Sequence, residues 1–215
     1  SRKQTEAEVA ARAEEIVSEG AAIIDVGAYS TRPGAADVSE EEELERLLPA
    51  LNVVRRVASG IPLSVDTFRA SVVRRIADEF GAFVVNDVSG GSDPEMFSTV
   101  ARLGLPYVLT HSPFGIRSTA SSAPAVPTLA ERPVLPRVLL YMSERVNQLL
   151  ALGQKDILLD PGFGFGKSLE ENYELLSGLA ALHSLRLPLL VGVSRKSMVY
   201  RLLGTMPEEA LNGTT

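Results

Sequence analysis

Six short apolar segments, separated by amphipathic helices, restrict the fold of this chain more than any other feature of its sequence. The apolar segments cover residues 21–27, 62–67, 83–87, 107–112, 156–162 and 188–194. The spacing of apolar residues predicts helices over 5–20, 39–60, 69–81, 93–104, 134–152, 169–183 and 195–204. Near-continuous apolar strands that alternate with helices are typical of a parallel sheet covered on both faces. The sequence therefore predicts an α/β fold.

Local signals refine this prediction. Thr5 followed by Glu8 has the pattern of a capping box, and Ser39 can cap the second helix, which Pro49 is expected to kink or split. Residues 113–136 carry five prolines and are rich in Ser, Thr and Ala. A connection of this length and composition predicts a lid or mobile loop, and a surface excursion without function is the alternative.

Composition limits the functional classes. The chain has 215 residues and a net charge of -6, so it lacks the basic surface that a nucleic acid requires. It has no cysteine and only two histidines, which counts against thiol catalysis and a multi-histidine metal site. No apolar run approaches the roughly 20 residues of a membrane span, and the N-terminal segment is predicted to be helical rather than a signal peptide. A cytoplasmic protein is expected.

Polar residues cluster at or near the carboxyl ends of the predicted strands. They are Asp25, Asp66, Asn86, Asp87, His111, Asp160 and Ser194. Each has a structural explanation when taken singly: Asp66 could be a helix cap, and Asp160 before Pro161 could open a turn. Substrates of α/β proteins bind at this end of the strands, however, so the repetition predicts a binding site there.

Cations are predicted at the same end of the sheet. Residues 28–35 form a Ser-Thr-Arg-Pro-Gly loop after the first strand, although a mobile surface turn explains the loop equally well. Arg195 and Lys196 precede a helix, where positive charge opposes the helix dipole. Two cations at a helix N-terminus are typical of an anion-binding site.

The glycine-rich segment ILLDPGFGFGKS (157–168) does not match a nucleotide-binding loop. A Walker A motif would need glycine at position 161, which is proline, and no register gives Gly-x-Gly-x-x-Gly. The glycines are instead expected to give a flat ring access to the backbone near Asp160.

Five motifs, in order and spacing, resemble one known family. They are IIDVGAYSTRPGA, LSVDTFRASV, VVNDVSGG, ILLDPGFGFGKS and LPLLVGVSRKSM. This pattern resembles dihydropteroate synthase, which joins p-aminobenzoate to 6-hydroxymethyl-7,8-dihydropterin pyrophosphate in folate biosynthesis and is the target of sulfonamides. The resemblance implies a (β/α)8 TIM barrel with six of its eight strands in residues 1–215, a single domain incomplete at both ends, and a homodimer.

The resemblance also implies roles for individual residues. The pterin would contact Asp66, Asn86, Asp160 and Lys196, and Asp66 and Lys196 would be catalytic. The p-aminobenzoate and pyrophosphate sites would use Thr31, Arg32, Phe165, Ser194 and Arg195. Val84, Leu158 and Val191 would form the apolar floor beneath the pterin ring, which Phe165 or Arg195 would cover.

Two family motifs fall outside the sequence. The Asn-x-Thr-Pro-Asp-Ser-Phe-Ser loop, which supplies the metal-binding asparagine, is expected upstream of residue 1, so Mg²⁺ is expected to have no ligand within this chain. The Arg-x-His motif is expected after residue 215. These departures predict a trimmed chain. They leave two alternatives open: a methyltetrahydrofolate–corrinoid methyltransferase, which would not need the Thr-Arg-Pro loop, and a pterin-binding module without catalysis.

Overall fold

A computed structural model describes residues 5–29, 37–112 and 133–214. The chain divides into two compact units. The first takes its described residues from Ser1–Asp87, Gly91–Tyr107 and Gln154–Asp156, and the second from Val88–Gly90, Val108–Gly153 and Ile157–Thr215. The predicted residues Thr31 and Arg32, and most of the predicted loop 113–136, lie outside the described residues.

The first unit alternates helices with strands. Its elements are α1 (Glu6–Ser18), β1 (Ile24–Gly27), α2 (Glu40–Val57), β2 (Leu63–Asp66), α3 (Ala70–Phe80), β3 (Val84–Asp87) and α4 (Met96–Leu103). Thr5 and Glu8 form the predicted capping box, in which the Glu8 carboxylate accepts a bond of 2.7 Å from the Thr5 amide. Ser39 caps α2, whose first four residues are all glutamates and complement the positive end of the helix.

The second unit continues this pattern. It contains most of β4 (Tyr107–Thr110), α5 (Val134–Ala151), β5 (Ile157–Asp160), α6 (Leu169–Ser177) and α7 (Ser197–Leu203), with 3₁₀ turns at Leu179–Leu185 and Leu211–Thr214. A second capping box begins α6, because Ser168 and Glu171 exchange hydrogen bonds. The order of the sheet is β1-β2-β3-β4-β5, which confirms the predicted α/β class.

The register of β1, β2 and β3 decides which side chains share a face. The strands are parallel, with Gly27 opposite Asp66 and Asp66 opposite Asn86. Because successive side chains point to opposite faces, Asp66 and Asn86 share one face and the fully buried Val65 and Val85 share the other. The apolar face of this unit packs beneath its helices, and Ile24 joins Ala13, Val54 and Ala58 in one buried cluster.

The sixth predicted strand, over 188–194, is reduced to a single bridge between Leu159 and Leu189. The Leu159 amide bonds to the Pro188 carbonyl, and the Leu190 amide bonds to the Leu159 carbonyl, each at 2.9 Å. The pairing stops there because residues 193–196 form a turn, in which the Lys196 amide bonds to the Val193 carbonyl at 3.1 Å. The described residues therefore contain five strands rather than six.

Other boundaries differ from the sequence prediction for local reasons. Pro49 does not split α2. Because proline has no N–H, the Glu45 carbonyl loses its partner within the helix. Pro49 and Glu45 are both exposed, however, so water can bond to that carbonyl instead. The helix predicted from residue 93 begins at Met96, because Asp93 instead accepts bonds from the amides of Ala70 and Glu95. Among the described residues, no helix is both long and apolar enough to cross a membrane.

A buried ion pair stabilises the first unit. The Glu43 carboxylate on α2 is fully buried, bonds to the Arg69 guanidinium, and accepts a 2.6 Å bond from the Thr67 hydroxyl. Arg69 also donates to the Val38 carbonyl at 2.7 Å and lies 4.6 Å from the Phe68 ring centroid. The pair therefore connects α2 to the segment that follows Asp66 at the end of β2.

Removing Arg69 should be costly, because it leaves the Glu43 charge buried without a partner. We expect Arg69→Met to lower the free energy of unfolding by about 3 kcal/mol in urea denaturation. Arg75→Met is the control, since Arg75 and Glu79 form an exposed pair on α3 and its loss should cost less than about 1 kcal/mol. Equal losses for the two variants would show that the Glu43–Arg69 pair does not stabilise the fold.

Candidate functional site

Asp25, Asp66 and Asn86 form a polar surface on the open face of β1, β2 and β3, which we term the carboxylate face. The Asn86 amide donates to the Asp25 carboxylate at 3.1 Å. Gly27 faces Asp66, and a Cβ atom at Gly27 would lie 3.0 Å from the Asp66 Cβ and 3.2 Å from its Oδ2. The absence of a side chain at Gly27 therefore makes room for the Asp66 carboxylate.

The electrostatics of the carboxylate face are unfavourable to negative charge. Burial raises the pKa of Asp66 from 3.8 to about 8, and repulsion from Asp25, Asp87 and Glu43 adds to this effect. A carboxylate in these surroundings gains from any group that brings positive charge or N–H donors. The carboxylate face therefore favours a ligand that is cationic or rich in N–H donors.

Asp87 has a structural role, although it is adjacent to Asn86. Its fully buried carboxylate accepts bonds from the Tyr107 hydroxyl at 2.7 Å and the Gly91 amide at 3.0 Å. Thr67 is similarly buried, and its hydroxyl bonds to Glu43. The alternation of the strand directs Asn86 to the open face and Asp87 to the opposite one.

In the second unit, Asp160 ends β5 and begins the segment 161–168, which we term the glycine loop. The Asp160 carboxylate accepts a bond from the Gly162 amide at 2.8 Å, and its carbonyl accepts one from the His111 amide at 2.8 Å. Burial raises the pKa of Asp160, while the Gly162 amide and the charge of Lys196 oppose this shift. The second carboxylate oxygen has no bond of its own among those in the described residues.

Lys196 lies against the glycine loop and immediately precedes α7. Its ammonium group donates to the Phe163 carbonyl at 2.9 Å and lies 4.8 Å from the centroid of the Phe165 ring. Burial lowers the pKa of Lys196, and attraction to Asp160 opposes the shift. Asp160, Phe165 and Lys196 thus lie close together in the second unit.

Lys167 points into the glycine loop, where its ammonium group is bonded to backbone carbonyls. Its ammonium group donates to the carbonyls of Gly162 at 2.6 Å, Phe165 at 3.2 Å and His111 at 3.4 Å. Burial lowers the pKa of Lys167 to about 7, against the attraction of Asp160 and Glu171. This orientation agrees with the rejection of a phosphate-binding loop, in which the lysine would face the anion.

His111 is buried at the end of β4 and packs edge-on against Tyr141, with ring centroids 4.9 Å apart. Burial lowers its pKa to about 3, and the nearby charges of Lys167 and Arg137 add to the effect. Its Nδ1 atom is buried and has no hydrogen-bond partner in the described structure. His111 is therefore a neutral packing residue at neutral pH.

Ser194 and Arg195 form an exposed turn beside Lys196. Arg195 has φ of 54°, in the left-handed region that a residue with a side chain adopts at a cost on the order of 1 kcal/mol. Val84 and Leu158 are half-buried and Val191 is 39% exposed, so each predicted floor residue has accessible apolar surface. The positions of Thr31 and Arg32 fall outside the described residues.

The described residues do not provide a metal cage. Within 5–29, 37–112 and 133–214, no three histidine, aspartate or glutamate side chains converge in a way that could hold a metal ion. The carboxylate face contributes two carboxylates and an amide, fewer protein ligands than a complete Mg²⁺ shell of six. The expectation that magnesium is held by a loop upstream of residue 1 stays a prediction.

Two contributors to the site were not assigned a role from the sequence. Asp25 holds Asn86 and adds to the raised pKa of Asp66, and its position near a strand end was the only signal available. Asn172 is buried on α6, where its side chain accepts a bond from the Gly164 amide at 2.7 Å and donates to the Ser168 carbonyl at 2.6 Å. The amphipathic pattern of α6 gives no indication of this contact.

Comparison with known proteins identifies the family of this chain. The model of the family described as "Pterin binding enzyme" matches residues 1–214. The dihydropteroate synthase of Escherichia coli is 42% identical over 201 residues, which cover 93% of this chain and 68% of that enzyme.

Two solved structures are similar in fold. The dihydropteroate synthase of Yersinia pestis with a pterine–sulfa conjugate has a TM-score of 0.84 and 36% identity, over 98% of this chain and 76% of the other. The enzyme of Xanthomonas albilineans with 4-aminobenzoic acid has a TM-score of 0.83 and 36% identity, over 97% and 72%. The chain belongs to the dihydropteroate synthase family of pterin-binding enzymes, and its fold class is that of their TIM barrel.

The raised pKa of Asp66 predicts a pH-dependent stability. A protonated Asp66 favours the folded state, so its contribution is fully present below pH 4 and is lost as the pH rises towards about 8. We therefore expect Asp66→Asn to gain stability relative to the parent protein between pH 4 and 8 and to show no further gain above pH 8. Urea denaturation across this range measures the effect. Asp78→Asn, at an exposed position on α3, is the control, and parallel curves for Asp66→Asn and the parent would contradict the raised pKa.

Proposed function

We propose that this chain catalyses the dihydropteroate synthase reaction. The enzyme joins the amino group of p-aminobenzoate to the C9 methylene carbon of 6-hydroxymethyl-7,8-dihydropterin pyrophosphate. The products are 7,8-dihydropteroate, pyrophosphate and a proton. The structural observation that carries the proposal is the register of β2 and β3, which sets Asp66 and Asn86 side by side on an open face of the sheet.

The side chains of the predicted pterin site suit the edge of a pterin ring. The Asp160 carboxylate offers two acceptor oxygens to the adjacent N–H groups of the aminopyrimidinone, one of which would compete with the Gly162 amide. Asn86 both donates and accepts, and matches the mixed edge of the ring. Lys196 donates to a ring oxygen or nitrogen. Val84 and Leu158 are each half-buried, and each is proposed to contact the ring.

Asp66 suits the proposed bond-breaking step. As the C–O bond to pyrophosphate breaks, its electron pair leaves with the pyrophosphate and a positive charge develops on the pterin. An ionised carboxylate stabilises that charge, and the developing cation in turn lowers the pKa of Asp66 from its raised value. The neutral arylamine then attacks the methylene carbon and releases a proton, so no strong general base is required.

The second substrate is proposed to bind beside the glycine loop. Phe165 offers an aromatic surface for the ring of p-aminobenzoate, and Arg195 and Ser194 offer donors for its carboxylate. Thr31 and Arg32 are proposed to contribute near the pyrophosphate. The strained backbone of Arg195 supports this assignment, because a left-handed arginine is retained only where its surroundings favour it.

Several finer properties belong to the same proposal. Sulfonamides, which resemble p-aminobenzoate, are expected to compete for the Phe165 site; a sulfonamide complex is known for the Yersinia pestis relative. The single barrel domain, the homodimer, the cytoplasmic location and the requirement for Mg²⁺ stay predictions.

Product formation tests the proposed function directly. Purified protein is incubated with dihydropterin pyrophosphate, radiolabelled p-aminobenzoate and Mg²⁺, and labelled dihydropteroate is separated from substrate. We expect product that depends on both substrates and decreases when a sulfonamide is added. Pterin binding without product would identify a non-catalytic pterin-binding module, and methyl transfer from methyltetrahydrofolate to a corrinoid would favour the methyltransferase.

The role of Asp160 predicts a specific loss of pterin affinity. In Asp160→Asn, one acceptor oxygen becomes a donor and faces an N–H group of the ring, so we expect pterin to bind on the order of 10- to 100-fold more weakly by calorimetry. Asp156→Asn is the control, because Asp156 is exposed and precedes β5 at the opposite end of the strand. Equal pterin affinity in Asp160→Asn and Asp156→Asn would remove Asp160 from the pocket.

A further inference from the structure

We propose that Lys167 is a positioning residue, whose ammonium group holds the glycine loop in the shape that places Phe165 and Lys196 for substrate binding. The expected effects on substrate binding rest on the proposed function. The structural part of the inference concerns the second unit alone and can be tested without any substrate.

The environment of the Lys167 ammonium group consists of backbone carbonyls. Two of its three partners, the carbonyls of Gly162 and Phe165, belong to the glycine loop itself, and the third belongs to His111 after β4. One side chain thus bridges two carbonyls of the loop and joins the loop to the end of β4. Carbonyl groups that converge in a buried turn repel one another, and a cationic donor at their centre offsets that repulsion.

The glycine loop is shaped around this ammonium group. Gly162 has φ of 69°, and a Cβ atom there would lie 2.3 Å from the His111 carbonyl oxygen and 3.3 Å from the Lys167 Nζ. The Phe165 amide closes a turn onto the Gly162 carbonyl at 3.1 Å, which is the same carbonyl that Lys167 binds. Without the ammonium group, the Gly162 carbonyl would keep its bond from the Phe165 amide but lose the shorter bond from Lys167, so the turn would be held less firmly.

Residues of the glycine loop also fix the position of Lys196. The Phe163 carbonyl accepts the 2.9 Å bond from Lys196, and the Phe165 ring lies beneath the same ammonium group. Both contacts come from residues between Gly162 and Lys167. The Asp160 backbone belongs instead to β5, where its carbonyl bonds to the His111 amide, so its position depends less on Lys167 even though its carboxylate accepts a bond from the Gly162 amide. Loss of Lys167 should therefore displace Phe165 and Lys196 more than Asp160.

Two variants of Lys167 separate this role from a simple effect on folding. Lys167→Met keeps a long unbranched side chain and removes every donor, whereas Lys167→Gln keeps two N–H donors on a shorter side chain. Lys155→Met is the matched control, because Lys155 is exposed before β5. All three proteins are first compared with the parent by circular dichroism and urea denaturation.

Hydrogen exchange provides the readout that needs no substrate. We expect the Gly164 and Phe165 amides, which bond within the second unit, to exchange about 10-fold faster in Lys167→Met, less so in Lys167→Gln, and unchanged in Lys155→Met. Parent-like exchange in Lys167→Met, or equal acceleration in Lys167→Gln and Lys167→Met, would overturn the inference. If Lys167→Met does not fold, Lys167→Gln decides: accelerated exchange confined to 161–168 supports the inference, and unchanged exchange overturns it.

Kinetics then test the consequence for substrates. We expect Lys167→Met to raise the KM for p-aminobenzoate on the order of 10-fold and to raise the Kd for pterin as well, since Phe165 and Lys196 are both displaced. A lower fraction of folded protein would reduce kcat and leave KM unchanged, and that result would overturn the positioning role. A parent protein that forms no dihydropteroate would refute the proposed function, while accelerated exchange in Lys167→Met would still establish the structural part of the inference.

Discussion

The parallel register of β1, β2 and β3 is the constraint on which the carboxylate face depends. It sets Gly27 opposite Asp66 and Asp66 opposite Asn86, so that one open face receives the polar side chains and the other receives Val65 and Val85. A slip of one residue would exchange the two faces and bury the carboxylate in the helical layer. The same hydrophobic pattern that drives the strand to pair therefore also selects which polar groups reach a ligand.

Much of the fold could be predicted from sequence because its signals are local. The capping boxes at Thr5 and Ser168, and the five strands that form, follow from short patterns of capping and apolar residues. The sixth strand could not be excluded in this way, because an apolar run forms a strand only where a neighbour pairs with it. Leu189 has such a neighbour in Leu159, whereas Val191 lies 39% exposed beyond the last bond. Likewise, the structural role of Asp87 became clear only from its contacts with Tyr107 and Gly91.

The glycine loop contains glycines and a lysine, as a nucleotide-binding loop does, but its lysine points in the opposite direction. In a nucleotide-binding loop, amide groups and a lysine converge on an anion. In this chain the lysine lies inside the loop and carbonyl oxygens converge on it, so the loop itself supplies the negative partner. Spacing alone could reject the Walker motif, but the direction of the Lys167 side chain also depends on the His111 carbonyl, which is 56 residues away in sequence.

The burial of His111 has a consequence for the charge of the protein near neutral pH. Its pKa of about 3 means that this imidazole does not change charge in the range where histidine usually responds. Asp66, near 8, and Lys167, near 7, titrate there instead. As the environment becomes more alkaline, the first gains a negative charge and the second loses a positive one. Both changes make the protein more negative as the pH rises.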